Sequence, residues 1–144
     1  MDGRSTALKR KGILLALATV AVLAIGVTVA MAAKSYSTQI KLEGVSGTPS
    51  VATLYGHLET NSKCLGPRLL QAEKQTSSGF KVVDQDFSSA NGAYAFRGNI
   101  GPLPATIRIL AAKTKLKNNR GDVTTVCKPG ALQFTVGPAK LAGR

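Results

Sequence analysis

From Gly12 to Ala33 the chain reads GILLALATVAVLAIGVTVAMAA and carries no charge. A segment apolar all round for that length is suited to a membrane-spanning helix or to the apolar part of an export signal, not to the surface of a small domain. Lys9, Arg10 and Lys11 stand directly before it. Basic residues stay on the cytoplasmic side, so the C-terminal part of the chain is expected outside the cytoplasm. Ala30-Met31-Ala32 fits a small-x-small cleavage site, which would release a secreted protein, whereas retention would leave a single-pass anchor. Residues 1–33 are therefore read as a signal peptide or N-terminal membrane anchor, and folding is left to Lys34–Arg144.

That remainder alternates. In Val51–Glu59, Ala52, Leu54 and Leu58 fall on one face, with Thr53, Tyr55, His57 and Glu59 on the other. Period two marks a half-buried strand. The same pattern places Tyr94 with Phe96, and Leu132 with Phe134 and Val136. Further strands are expected at Tyr36–Leu42, Arg68–Lys74, Phe80–Phe87, Ala105–Leu116 and Val123–Cys127. Turn chemistry separates them: Glu43–Ser50 reads as loop, Asn61–Pro67 and Gln75–Gly79 as turns, and Asn91-Gly92 accepts the positive φ of a tight reversal. No stretch after Ala33 keeps a helical period. The expectation is an all-β fold, a single antiparallel β-sandwich of roughly seven strands. Residues 34–50 form a linker and possible first strand, 51–137 the sandwich, and 138–144 a C-terminal tail.

The chain has two cysteines, Cys64 and Cys127, and outside the cytoplasm such a pair forms a disulfide. Two free thiols, or two metal ligands joined by the one histidine, His57, make the weaker alternative.

The formal net charge is +12, of which about +9 remains once residues 1–33 are set aside. A basic surface favours anionic partners, or serves solubility alone. Lys113, Lys115 and Lys117 alternate and would point one way from a strand. With Arg120 in the next turn and Lys128 beyond, they make a candidate anion-binding patch; the favoured alternative is an edge strand that lysines keep from pairing. Arg120-Gly121-Asp122 itself reads as ordinary turn chemistry. Asp84 and Asp86 share a face of their strand, either solvated or able to bind a cation.

Catalytic signatures are missing. The sequence contains no G-x-S-x-G, no H-E-x-x-H, no phosphate-binding glycine loop and no zinc spacing. His57 has no placed nucleophile or orienting acid in its sequence context. No cofactor or metal is expected.

Taken in order, the Cys64-Leu65-Gly66-Pro67-Arg68 segment, the turn SSANGAYAF from Ser88 to Phe96, the Pro-led strand LPATIRI from Leu103 to Ile109, and a cysteine before the last strand resemble one family. They are similar to the carboxypeptidase-regulatory-like, transthyretin-like (prealbumin-like) sandwich domains of exported bacterial proteins. In that family the turn reads T-D-x-x-G-x-[YF]-x-[FV]; Gly92, Tyr94 and Phe96 match, and Ser88-Ser89 replace Thr-Asp. The resemblance implies a prealbumin-like sandwich and a non-catalytic module, with the matching positions structural.

The functional expectation is an exported, non-enzymatic module at the cell envelope, structural or binding an anionic polymer or a protein. It meets the membrane only through its N-terminal segment, and nucleic acid is not an expected partner. The alternative is a carbohydrate-binding module, against which stands the lack of Trp, the usual sugar platform.

Overall fold

The alternating segments become strands in the computed structural model, which describes residues 32–138; the expected signal or membrane helix and the tail beyond Pro138 lie outside the described residues. Ten strands are present among them: β1 (Lys34–Tyr36), β2 (Gln39–Thr48), β3 (Val51–Glu59), β4 (Leu69–Thr76), β5 (Gly79–Phe87), β6 (Ala93–Gly98), β7 (Ala105–Ala111), β8 (Thr114–Lys117), β9 (Val123–Cys127) and β10 (Gly130–Val136). A 3-10 turn spans Ser62–Cys64. Two sheets, ordered β10-β7-β4-β5 and β2-β3-β6, enclose the core in a sandwich-like arrangement, and a third has the order β1-β9-β8. Pairing is antiparallel except between β1 and β9.

The core is aliphatic because the sequence offers so few aromatics. Ile40, Ala52, Leu54, Leu58, Tyr94 and Phe96 face Leu70, Ala72, Ile107, Ile109, Ala111 and Val136 across the two main sheets. Each large apolar side chain removed from water there contributes about 1.5–3 kcal/mol before entropy is counted. Tyr94 is the one core residue with a polar tip. Its hydroxyl donates to the Lys41 carbonyl at 2.8 Å. Gly56 makes the room: a Cβ there would collide with the Lys41 oxygen and lie 2.6 Å from the Tyr94 hydroxyl.

Three expectations are corrected. Glu43–Ser50 is not a loop, since β2 runs to Thr48 and pairs with β3 along its length. Its glycines serve a bulge after Leu42 and a positive φ at Gly47 rather than ending the strand. The Asn91-Gly92 turn does not close a hairpin. It carries the chain from β5 in one sheet to β6 in the other, because β6 pairs with β3. Ala105–Leu116 is not one strand but β7 and β8, in different sheets.

The division of Ala105–Leu116 into β7 and β8 shows how the fold turns its corner. Ala111 faces Gly130 and Thr114 faces Cys127, so one antiparallel register runs from β7 into β8 on one arm and from β9 into β10 on the other. This is a single long hairpin that changes its buried face halfway. On the sandwich side Ile107, Ile109 and Ala111 are buried; beyond the break Thr125 and Cys127 are. Strict alternation would put those two sets on opposite faces. The switch is made at two consecutive exposed pairs, Ala112-Lys113 and Lys128-Pro129.

A switch of this kind interrupts the ladder and leaves carbonyls that need donors. Arg68 supplies them. Only 2% exposed, it donates from its two terminal nitrogens to the Ala112 carbonyl at 2.5 Å, the Lys128 carbonyl at 3.0 Å and the Thr38 hydroxyl at 2.6 Å. Thr38 in turn donates to the Lys128 carbonyl at 2.8 Å. Thr38 lies between β1 and β2, which also belong to different sheets. One guanidinium therefore gathers the three places where the chain passes between the small sheet β1-β9-β8 and the two main sheets. No carboxylate is among its bonding partners, its Nε has no partner among the described residues, and burial pushes its pKa below the ordinary value.

Two further ties hold the corner. Ser88, itself buried, donates from its backbone to the Arg68 carbonyl at 2.8 Å, accepts from the Arg68 N–H at 3.0 Å and donates its hydroxyl to the Leu65 carbonyl at 2.7 Å. Cys64 and Cys127 stand at disulfide distance with Cα atoms 5.5 Å apart. A bridge across their separation of 63 residues stabilises a fold by about 4 kcal/mol in the chain-entropy account.

Arg68→Ala should lower unfolding free energy in urea by about 3–5 kcal/mol, since it combines a large buried deletion with an unpaired carbonyl at Ala112. Arg68→Lys should recover only part, because one ammonium lacks the planar fork that spans three acceptors. A loss under about 1 kcal/mol for the alanine variant would show the corner holding without it.

Tyr94 links stability to alkaline pH. Burial, and then the charge of Glu43, raises its pKa above the ordinary 10.0. A raised folded value means that the stabilisation is complete below about pH 10 and is lost as pH rises beyond it. Urea midpoints measured from pH 8 to 11 should fall more steeply above pH 10 for the unaltered protein than for Tyr94→Phe, which is about 1 kcal/mol less stable at neutral pH. Parallel curves would refute the linkage.

Candidate functional site

β8 is an edge strand, bonded only to β9. Its inward residues are Thr114 and Leu116, so Lys115 and Lys117 point to solvent and Lys113 precedes them on the same face. At about 3.4 Å per residue the three lysines make a row roughly 13 Å long. Continuing the register of Thr114 with Cys127 sets Lys113 across from Lys128, which adds a fourth cation. All four are exposed.

One acid, Asp122, lies in the turn of the same hairpin, where its Oδ2 accepts from the Asn118 side-chain amide at 3.2 Å. The ion pairs among the described residues are Lys41 with Glu59, His57 with Glu43 and Glu59, and Arg108 with Glu73; none includes the four lysines. Arg120 lies in the turn beyond Lys117. That turn is closed by the Asn118 side chain, whose Oδ1 accepts from the backbone N–H of Arg120 at 2.9 Å and of Asp122 at 3.0 Å, with Gly121 at φ +85°. Lys113, Lys115 and Lys117 thus share one face as the sequence indicates, and Arg120 occupies the tip of the same hairpin.

The sequence already sets Lys128 beyond the turn as a further member of this patch; its place opposite Lys113 comes from the pairing, through the register of the whole hairpin.

Other charged groups resolve into structural tasks. His57 lies on the outer face of β3, its Nδ1 2.6 Å from a Glu43 oxygen and its Nε2 3.7 Å from Glu59. Lys41 completes this exposed network at 3.5 Å from Glu59. Among the described residues no group of three or more His, Cys, Asp or Glu side chains is placed to hold a metal ion. Arg108 pairs with the nearly buried Glu73 and lies 3.8 Å from the centre of the Phe80 ring, fixing the outer face of the β4-β5-β7 sheet.

Asp84 and Asp86 guard the edge at β5. β5 bonds only to β4 on its own sheet, and each aspartate accepts from the N–H of the residue after it: Gln85 to Asp84 at 2.9 Å, Phe87 to Asp86 at 2.7 Å. The second Asp84 oxygen accepts from the Arg97 N–H of β6 at 2.9 Å, tying the two main sheets along one side. Without these carboxylates the edge would offer free donors beside the exposed Val82 and Phe87. The double variant Asp84→Ala/Asp86→Ala should therefore shift to larger species in sedimentation velocity as concentration rises. Sedimentation unchanged from the unaltered protein up to the highest soluble concentration would show that the edge is protected by other means.

The fold and face define an all-β, sandwich-like domain with a basic hairpin arm. No family model, curated protein or solved structure matches the chain.

Proposed function

We propose that this chain is an exported, non-enzymatic sandwich module of the cell envelope, and that the lysine face of β8 and β9 binds an anionic envelope polymer or an acidic protein surface. The observation that carries the reading is the row Lys113, Lys115 and Lys117 with Lys128 opposite, none of them ion-paired among the described residues. A repeating anion matches a repeating row of cations without a shaped pocket. Export is supported by the apolar run Gly12–Ala33 behind three basic residues, and by a cysteine pair at disulfide distance. The resemblance to transthyretin-like modules supports a non-catalytic role.

One observation favours the carbohydrate alternative. Tyr55 is 41% exposed on the outer face of β3, its ring lying against Gly44 close to Glu43 and His57. An exposed ring among hydrogen-bonding groups is a stacking platform for a sugar.

One experiment separates the readings. The protein is recovered from an exporting bacterial host, its intact mass is measured to fix which N-terminus it carries, and it is pelleted with isolated cell walls. Binding at low salt that is released by rising salt is the expected result. Lys113→Gln/Lys115→Gln/Lys117→Gln should weaken it about tenfold, at about 0.5 kcal/mol per exposed pair. Loss of binding with Tyr55→Ala instead, unaffected by salt, would favour the sugar reading. No pelleting at low salt would sink the polymer version.

A further inference from the structure

The end of the sandwich away from Arg68 is formed by the β4–β5 turn, the β2–β3 turn at Pro49 and the loop from Asn99 to Pro104. A cleft of about 400 Å³ opens there, lined among others by Lys74, Thr76, Lys81, Asn99 and Gly101. Lys74 and Thr76 also line an adjoining cleft of about 440 Å³ under Pro102 and Pro104. Neither lining includes a carboxylate.

Lys74 is the direct cross-strand partner of Lys81. Like charges placed opposite each other in an antiparallel pair destabilise it, and neither lysine is in an ion pair among the described residues. The walls around them are fixed. The N–H groups of Ile100 and Gly101 both donate to the Pro49 carbonyl, at 2.9 and 3.0 Å. The Asn99 side-chain oxygen accepts from the Gly101 N–H at 3.0 Å, which leaves its NH₂ group without a partner among the described residues. The Thr76 hydroxyl closes the facing turn by donating to the Gly79 carbonyl at 2.7 Å.

We propose that this cleft is a separate anion site that takes a phosphoryl group. Two opposed ammonium groups match an anion carrying close to two charges at neutral pH, and the Asn99 amide supplies a neutral donor for a remaining oxygen. Binding removes the repulsion between Lys74 and Lys81, so the ligand stabilises the strand pair that holds it. The site lies on β4 and β5 at the opposite end of the sandwich from the lysine face of β8, and it stands or falls independently of that face.

Inorganic phosphate and a linear inorganic polyphosphate are titrated separately, in low chloride, into the ¹⁵N-labelled protein as exported. Saturable shifts of the Lys74, Thr76, Lys81, Asn99 and Gly101 amides are expected. Lys74→Gln/Lys81→Gln should weaken this response at least about tenfold, while Lys113→Gln/Lys115→Gln leaves it unchanged. Phosphate should raise the melting temperature of the unaltered protein but not of the double variant, and Lys81→Gln alone should melt higher than the unaltered protein in phosphate-free buffer. Saturation by inorganic phosphate identifies a free anion as sufficient; saturation by polyphosphate alone, at the same residues, identifies a polymer-borne phosphoryl group. Failure of both ligands to saturate, or a response that survives Lys74→Gln/Lys81→Gln, overturns the proposal.

Discussion

The chain passes three times between the small sheet β1-β9-β8 and the two main sheets, and all three passages meet at the guanidinium of Arg68. A strand that leaves one sheet for another breaks its ladder, and the freed carbonyls need other donors. A planar group with donors on two nitrogens can reach the Ala112 carbonyl, the Lys128 carbonyl and the Thr38 hydroxyl at once. The arrangement has a cost, since the charge is buried with no anion beside it and its Nε is unpaired among the described residues. Two of the guanidinium's three acceptors are backbone carbonyls that no apolar replacement could satisfy. The small sheet β1-β9-β8 depends on this, for the hairpin could not otherwise turn its other face inward.

The corner decides what the surface presents. Because the buried face switches at Ala112-Lys113 and Lys128-Pro129, Thr125 and Cys127 turn inward, where Cys127 meets Cys64. The alternate residues Lys113, Lys115 and Lys117 turn outward. Had β7 continued straight with its odd-numbered positions buried, those lysines would have lain over the core, where their burial would cost far more than the fold could bear. The lysine face and the cysteine pair are thus two sides of one event in the backbone.

Much of this was readable along the chain, because period-two patterning depends only on near neighbours. The inward sets Ala52, Leu54 and Leu58, then Tyr94 and Phe96, then Leu132, Phe134 and Val136 come directly from alternation. So does the common direction of the three lysines. What could not be read depends on pairing. In Ala105–Leu116 the apolar set falls on odd positions up to Ala111, whereas Lys113 and Lys115 take the odd positions beyond it and Leu116 an even one; this change of parity marks the corner locally, and only its anchoring by Arg68, far away in sequence, depends on pairing. Gly44 and Gly47 look like loop residues until β3 is laid beside them, and then they are a bulge and a turn entry. Lys128 opposite Lys113, and Lys74 opposite Lys81, exist only once the registers are fixed. Asp84 and Asp86 could be assigned to one face but not to a task, because their task is to occupy a free edge.

The edges at β5 and β8 are protected by opposite means. On β5 the carboxylates fold back onto the strand's own N–H groups, so the charge is spent on the backbone and little is left to offer a partner. On β8 the lysines stand away from the strand and bond to nothing described. They repel another edge strand by desolvation and bulk, yet their charge stays available. A polyanion needs no backbone pairing to engage such a row, so edge protection and anion binding are not competing accounts of these residues. On the proposed reading, the side chains that make β8 a poor partner for a second strand are the same ones that would meet a chain of negative charges.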